Sequence, residues 1–404
     1  MNEEIRAEFP ILGKETYLNS AFTGLTPLSV SRKLYKFYKN EKYSPTGNNE
    51  QLNSRVKQAY QSMANFIGST DTSGIVFTKC ATEAITHVSR GLRVNWKPMH
   101  NIIVSEIEYA SNVLPWLRLE KEEGVEIRVA KLNHGKIDAT SILPLIDRHT
   151  VLVVVNHVSN ILGCVNVIKE IVKVAHHNGA LVLVDGAQAV THIPVNVEDM
   201  GCDFYIVSGH KALGPTGSGF LWISKRNIDK IEPLFLGDSG VTIIDSKNFT
   251  LHNDYRRFWG GVSDFGGILG LGMAFDYVNR IGMDKIEAHN KNLLSCFLSK
   301  IRQDPNIEVI SVDKPVGVVT FNCNDNKKVA EHLWKNNINL QLLETKEFPF
   351  LYEKLGKENL LRLSVHFYNN MDDINKACSA LNEAAGHFNA TAVKSGTWLP
   401  AISG

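Results

Sequence analysis

Short apolar runs rich in β-branched residues alternate with helical stretches through the middle of the sequence, and this pattern constrains the fold most strongly. Several runs are apolar throughout rather than alternating, as expected for strands that are covered on both faces. The predicted strands are 74–78, 101–105, 126–130, 151–156, 180–186, 204–209 and 219–224. The helical patterns between them are 82–92, 110–122, 139–147 and 167–178. Strands and helices in this order predict βαβ units and a mainly parallel sheet in an α/β fold.

The pattern changes after residue 225. Residues 226–265 look irregular, and a long helical stretch then runs from Ile268 to Lys300 with a break near Gly282. Further helices alternate with strands at 317–322 and 360–365, which predicts a smaller α+β domain. We therefore expect the 404 residues to form four parts. These are an N-terminal segment (1–20) that packs with the small domain, a large domain (21–280), a small C-terminal domain (281–385) and a C-terminal extension (386–404).

Composition points to a small-molecule partner. Lys and Arg total 43 and Asp and Glu total 42, so there is no basic excess to favour nucleic acid or a membrane surface. The longest apolar run, 150–155, is far shorter than the roughly 20 residues that span a bilayer. The six cysteines are scattered without a CxxC pair, so we expect no disulfide framework and no metal site. The acidic N-terminus lacks the layout of a signal peptide, so we expect a cytoplasmic protein.

Polar side chains follow four of the predicted strands at the point where each strand ends. In open α/β sheets, ligands bind outside the carboxyl ends of the strands. The residues at these ends are Thr78, Ala81, Thr82, Asn156, His157, Ser159, Asn160, Asp185, Gln188, Ser208, His210 and Lys211. The sequence therefore predicts a binding site on one rim of the sheet.

The chemical types in this set complement one cofactor, pyridoxal 5′-phosphate. A protonated pyridine nitrogen would keep Asp185 ionised behind its apolar strand. Lys211 would form a Schiff base with the aldehyde of the cofactor. The donors available to a phosphate at and near a helix N-terminus are Ala81, Thr82, Ser208 and His210.

Each residue alone has an ordinary alternative explanation. Asp185 before Gly186 is common in turns, a lone Lys211 is typical of a surface, and Thr82 could simply cap a helix. The joint occurrence of complementary groups at four strand ends favours the cofactor.

The sequence resembles the class V, fold-type I aminotransferases, and most of all their cysteine desulfurase branch. The most specific segment is SGHKALGPTGSGFLW at 208–222. The other matching segments, in order within residues 5–385, are 17–27, 105–116, 156–163, 184–190, 265–278 and 361–370. The resemblance implies a large domain on a mainly parallel seven-stranded sheet, a smaller α+β C-terminal domain and bound pyridoxal 5′-phosphate. It also implies a homodimer with a shared active site, to which the partner contributes residues 258–267.

The resemblance implies a role for each candidate site residue. Lys211 is the Schiff-base lysine, Asp185 contacts the pyridine nitrogen, and Gln188 faces the 3′-oxygen. Asn160 lies beside the cofactor and the substrate. Arg362 pairs with the substrate carboxylate; the ordinary alternative explanation for Arg362 is a salt bridge at the end of its strand. The residues implied to bind phosphate are Thr82, Ser208 and His210.

Three positions depart from the desulfurase pattern. Tyr109 stands where desulfurases carry a His. A tyrosine stacks on the ring equally well, but with a pKa of about 10 it is a poorer proton shuttle at neutral pH. The interval 336–364, where desulfurases need a nucleophilic cysteine, contains none. Val262 replaces the threonine that relatives present to the partner's cofactor, and Ser263 is the candidate substitute.

We therefore expect an enzyme that acts on an amino acid through an external aldimine, with Lys211 as the base at Cα. Amino transfer and C–S lyase chemistry both fit, because neither needs a protein cysteine. The alternatives are desulfuration by a non-standard cysteine, amino-acid epimerisation, and a non-catalytic sulfur-relay or scaffold role. Cys323 and Cys378 are expected to be packed apolar residues rather than nucleophiles.

Overall fold

The computed structural model describes residues 3–41 and 49–387. Its strands are β1 (Thr16–Tyr17), β2 (Ile75–Thr78), β3 (Asn101–Ser105), β4 (Glu126–Ala130), β5 (Thr150–Asn156), β6 (Leu181–Asp185), β7 (Phe204–Ser208), β8 (Gly219–Ile223), β9 (Val241–Ile243), β10 (Phe249–Leu251), β11 (Glu308–Val309), β12 (Val318–Asn322), β13 (Ile338–Asn339), β14 (Gln341–Glu344) and β15 (Asn359–Ser364). Its α-helices are α1 (Glu3–Ala7), α2 (Leu28–Lys36), α3 (Asn49–Phe66), α4 (Ala81–Gly91), α5 (Leu114–Glu123), α6 (Ala139–Ile142), α7 (Ile168–His177), α8 (Val197–Met200), α9 (Phe265–Ile281), α10 (Met283–Ile301), α11 (Asn326–Lys335), α12 (Tyr352–Leu355) and α13 (Met371–His387).

The largest sheet has seven strands in the order β2-β8-β7-β6-β5-β3-β4. Strands β3 to β7 pair in parallel, whereas β8 runs antiparallel to both of its neighbours. In β6, Val182 and Val184 belong to one apolar cluster and Leu183 belongs to another, so each face of the sheet has its own core. Burial on both faces explains why the central strands are largely apolar. The predicted mainly parallel sheet is confirmed.

Two predicted segments differ from the structure. The helix predicted over 139–147 ends at Ile142, because Pro144 cannot continue it and disfavours helical backbone at the preceding residue. The segment predicted as irregular, 226–265, contains the antiparallel pair β9–β10 as well as short 3₁₀ turns. These strands are short and largely exposed, so they lack the apolar pattern that identifies a buried strand.

The C-terminal part forms a separate four-stranded sheet in the order β11-β12-β15-β14. Strand β12 pairs antiparallel with β15, and a distinct apolar cluster joins this sheet to α10, α11 and α13. The sequence predicted β12 and β15 but missed β11 and β14, which are short edge strands. Gly282, with φ of 94°, separates α9 from α10.

The N-terminal segment contacts the C-terminal part of the chain. Strand β1 pairs in parallel with β13, and Arg6 forms an ion pair with Asp373 at 2.8 Å. The division of the chain into domains at residues 20, 280 and 385 stays a prediction. The extension predicted over 386–404 lies outside the described residues from 388 onward. Among the helices of the described residues, none combines the length and apolar character needed to cross a bilayer.

Candidate active site

A cavity of about 320 Å³ opens at the carboxyl ends of β5, β6 and β7. The last residues of these strands, Asn156, Asp185 and Ser208, line it, and the β5–β6 register pairs Asn156 with Asp185. The other predicted site residues that line this cavity are Ala81, Thr82, Tyr109, Asn160, Gln188, His210, Lys211 and Arg362. The structure thus gathers residues from both sheets around one space.

Lys211 lies in a tight turn that follows β7. The Gly209 amide donates to the Ser218 carbonyl at 2.7 Å, and Leu213 adopts a left-handed backbone with φ of 63°. Burial lowers the pKa of the Lys211 amine to about 8, and the positive charge of Arg362 acts in the same direction. Part of this amine is therefore unprotonated near neutral pH, as a nucleophile requires.

Asp185 ends β6 beneath the same cavity. Its carboxylate accepts a hydrogen bond from the Ala187 amide at 2.9 Å. Burial raises the pKa of the Asp185 carboxyl, while the Ala187 amide and the Lys211 amine oppose that rise. A desolvated carboxylate is stabilised by a cation, and a protonated pyridine nitrogen is such a cation. Asp185 therefore fits the ring nitrogen of pyridoxal 5′-phosphate.

The N-terminus of α4 forms another wall. Cys80 precedes this 11-residue helix and makes no side-chain capping bond, so the first amides are not capped. Thr82 Oγ1 donates to Ser111 Oγ at 2.9 Å, and Ser208 Oγ lies 3.3 Å from His210 Nδ1. Burial lowers the pKa of His210 to about 4, so its ring is neutral and carries one N–H donor. These groups suit a phosphate.

Arg362 reaches the cavity from β15. Its Nη1 donates to the Asn160 carbonyl oxygen at 2.8 Å, and its Nη2 donates to Gln341 Oε1. Its buried Nε has no hydrogen-bond partner within the described part of the chain. Burial lowers the pKa of Arg362 to about 10, so the guanidinium stays charged at neutral pH. A charged fork with an unused N–H is suited to a carboxylate.

The aminotransferase class-V family model matches residues 16–376. The chain belongs to the class V aminotransferase family. Class V aminotransferases are pyridoxal 5′-phosphate enzymes of fold-type I, and this chain is one of them. The half-buried Asp185 carboxylate and the uncapped α4 N-terminus are consistent with that cofactor.

Several of the proteins that this chain resembles are cysteine desulfurases. A probable cysteine desulfurase from Methanothermobacter thermautotrophicus is 35% identical over 401 residues, which cover 95% of this chain and 98% of the relative. The structure of cysteine desulfurase CsdA from Escherichia coli has a TM-score of 0.89 at 26% identity and covers 96% of this chain and 99% of its own. The apo structure of the cysteine desulfurase from Thermococcus onnurineus NA1 has a TM-score of 0.90 at 28% identity. The match covers 96% of this chain and 99% of that protein.

One departure from the desulfurase pattern, Tyr109, lies in this class V site, whereas the other, at Val262 and Ser263, is not part of the cavity lining. The Tyr109 ring lines the cavity in edge contact with Phe348, with ring centroids 5.8 Å apart. Burial raises the pKa of Tyr109 and the nearby Glu347 carboxylate raises it further, so the phenol is a neutral donor rather than a base. Ser263 does not line the cavity, and Val262 beside it is 96% exposed. A role for Ser263 across a dimer stays a prediction.

The sequence pattern did not identify Glu108, which also lines the cavity. Its carboxylate accepts hydrogen bonds from Ser105 Oγ (2.6 Å), Asn112 Nδ2 (2.7 Å) and the Asn156 amide (2.7 Å). Burial raises its pKa to about 8. One feature of the sequence could have identified Glu108: it follows an apolar strand by three residues and has no cation near it in the sequence. Glu108 fixes the loop that carries Tyr109.

Cys80 differs in its surroundings from the two cysteines that the sequence predicts to be packed. Cys323 and Cys378 are buried outside the cavity, and burial raises their pKa values to about 12 and about 11. Both are poor nucleophiles in this environment. Cys80, whose position was not singled out from the sequence, lines the cavity beside Ala81.

Proposed function

We propose that this class V enzyme acts on an amino acid with a free α-carboxylate, by amino transfer or C–S lyase chemistry. The observation that carries the proposal is the placement of Lys211, Asp185 and the buried, incompletely bonded Arg362 around one cavity. Bound pyridoxal 5′-phosphate withdraws electrons from the substrate Cα, which is the chemistry that both reactions share. Arg362 holds the carboxylate, and this binding mode disfavours decarboxylation.

The protein groups divide the remaining work between them. Asp185 holds a positive charge on the ring nitrogen, and the α4 N-terminus with Ser208 and His210 anchors the phosphate. Lys211 Nζ accepts the proton from Cα, for which its pKa of about 8 is well matched. Tyr109 lines the cavity and would donate a hydrogen bond rather than move the proton, because its pKa is raised.

The choice between amino transfer and C–S lyase chemistry depends on what leaves the substrate. A lyase expels a sulfur leaving group directly, and amino transfer returns the nitrogen to a keto acid. Neither reaction needs a protein thiol, in agreement with the absence of cysteine from residues 336–364.

Desulfuration is the second candidate, favoured by the names of the relatives and by the position of Cys80 in the cavity. In that reaction the Cys80 thiolate would take the sulfur atom from cysteine, leaving alanine and a protein persulfide. Cys80 directly precedes the N-terminus of α4. Mass spectrometry after incubation with cysteine tests this candidate, with Cys80→Ala as the control.

A product assay tests the main proposal. The purified protein is loaded with pyridoxal 5′-phosphate and given amino acids with and without keto-acid acceptors, while sulfide, pyruvate, alanine and new amino acids are measured together. A new amino acid that depends on the acceptor indicates amino transfer, and sulfide with pyruvate indicates a lyase. We expect Lys211→Ala to lose all products and the exposed Lys225→Ala to keep them. A protein that forms no visible absorption band with the cofactor would contradict the proposal.

We also propose a homodimer. Apolar side chains are exposed along the segment that precedes α9, including Phe235 (62%), Ile243 (68%) and Val262 (96%). Exposed apolar groups in one region are typical of an interaction surface. The resemblance to class V enzymes supports a second copy of this chain as the partner.

A further inference from the structure

Glu347 places a carboxylate in the cavity close to Arg362. It ends a 3₁₀ turn, Thr345–Glu347, that follows β14. Thr345 Oγ1 anchors this turn by donating to the Glu358 carbonyl oxygen at 3.0 Å, and the following Phe348 is fully buried against Tyr109. The position of the Glu347 carboxylate is therefore set by packing on both sides.

Both positive and negative groups act on the Glu347 carboxylate. Arg362 and Lys211 are the positive groups that act on it, Glu344 is a negative one, and the Tyr109 hydroxyl donates toward it. Glu347 and Arg362 both line the cavity and each charge affects the pKa of the other, but no ion pair joins them among the described residues. A substrate carboxylate on Arg362 would cancel much of the positive charge that balances Glu347.

We propose that Glu347 is a specificity residue that selects amino acids carrying a second, cationic amino group on the side chain. The inference rests on the proposed function, in which Arg362 holds the α-carboxylate. Once that carboxylate is bound, a half-buried Glu347 needs a new counter-charge, and a side-chain ammonium supplies it. Burial, which raises the pKa of Glu347, also favours a bound cation, because it penalises an unpaired carboxylate. An acidic side chain would meet like charge and be excluded.

A binding experiment tests this selection without relying on turnover. The cofactor-loaded protein is titrated with ornithine and with norvaline, which has the same chain length but lacks the terminal ammonium. The dissociation constant is measured from the change in visible absorption. We expect ornithine to bind roughly tenfold more tightly than norvaline at pH 7, in line with a charge-assisted hydrogen bond.

The variants assign the preference to one residue. Glu347→Gln keeps the shape of the side chain and removes its charge, so the ratio of the two dissociation constants should fall to about one. Glu353→Gln removes an exposed carboxylate that does not line the cavity, so the ratio of its two dissociation constants should match that of the wild-type protein. A Glu347→Gln protein that keeps the preference would overturn the assignment.

Two further results would also overturn the inference. One is equal binding of ornithine and norvaline. The other is norvaline binding that tightens as the pH falls in the wild-type protein but not in Glu347→Gln, since Glu347 would then take up a proton instead of pairing with a substrate cation. A protein that binds cofactor but no amino acid at all would count against the proposed function instead, which separates the two failures.

Discussion

At the residue scale, the site depends on a lysine whose charge is held in balance by its neighbours. Burial and Arg362 push the pKa of Lys211 down to about 8, whereas Asp185 pushes it up. The proposed roles of nucleophile and base both need an amine that loses its proton near neutral pH. The opposing charges keep that pKa close to the working range instead of leaving the amine fully protonated.

The balance predicts the effect of Asp185→Asn on Lys211. Removing the negative charge takes away a group that favours the protonated amine, so the pKa of Lys211 should fall. We expect the pH midpoint for acylation of Lys211 in the cofactor-free protein, followed by peptide mass spectrometry, to drop by about one pH unit. The exposed Asp199→Asn should leave the midpoint unchanged. A midpoint that rises or stays constant in Asp185→Asn would refute this electrostatic account.

At the element scale, the sequence predicted what local patterns encode and missed what depends on packing between distant segments. The central strands of the large sheet were found because burial on both faces makes them largely apolar, whereas the edge strand β4 carries Glu126 and Arg128. The residues at their ends followed from the rule that ligands bind at the carboxyl ends. Glu347 gave no such signal, because it enters the cavity only when its 3₁₀ turn packs Phe348 against Tyr109. Gln341 lies on an edge strand that the pattern did not reveal.

The turn that holds Lys211 is braced by the segment after β1, and this contact predicts the effect of Gly24→Ala. The Gly24 amide donates to the His210 carbonyl at 2.8 Å, and a Cβ at Gly24 would lie 2.6 Å from the Lys211 carbonyl oxygen. We expect a loss of about 1–3 kcal/mol in unfolding free energy and weaker cofactor binding, because backbone must move. Urea denaturation and cofactor titration measure both effects.

Gly13→Ala is the matched control for that change. A Cβ at Gly13 has no atom within 4 Å, so its stability and cofactor affinity should stay near those of the wild-type protein. Equal behaviour of the two variants would show that the contact between Gly24 and the lysine turn is not close.

At the scale of the whole molecule, the exposed apolar segment before α9 supports the proposed dimer. Val262 on this face is 96% exposed, which is unusual for a valine that makes no contact with a partner. If this face is the dimer interface, the loop with Ser263 lies at the boundary between subunits, where the resemblance places a cross-subunit phosphate contact.

Val262→Asp tests the interface. A charge buried at an apolar contact is costly, so we expect the dimer to dissociate and the cofactor affinity to fall, as measured by light scattering and cofactor titration. Leu143→Asp changes an apolar residue that is 56% exposed elsewhere and should leave the dimer intact. An unchanged cofactor affinity in a monomeric Val262→Asp protein would place the active site within one subunit.

The central claim is that Lys211 binds pyridoxal 5′-phosphate covalently in this class V enzyme. Borohydride reduction of the cofactor-loaded protein, followed by digestion and mass spectrometry, tests it most directly. The account predicts that the added pyridoxyl group is found on Lys211 and is absent from the Lys211→Ala protein. Labelling of another lysine in the intact protein, or no labelling at all, would contradict it.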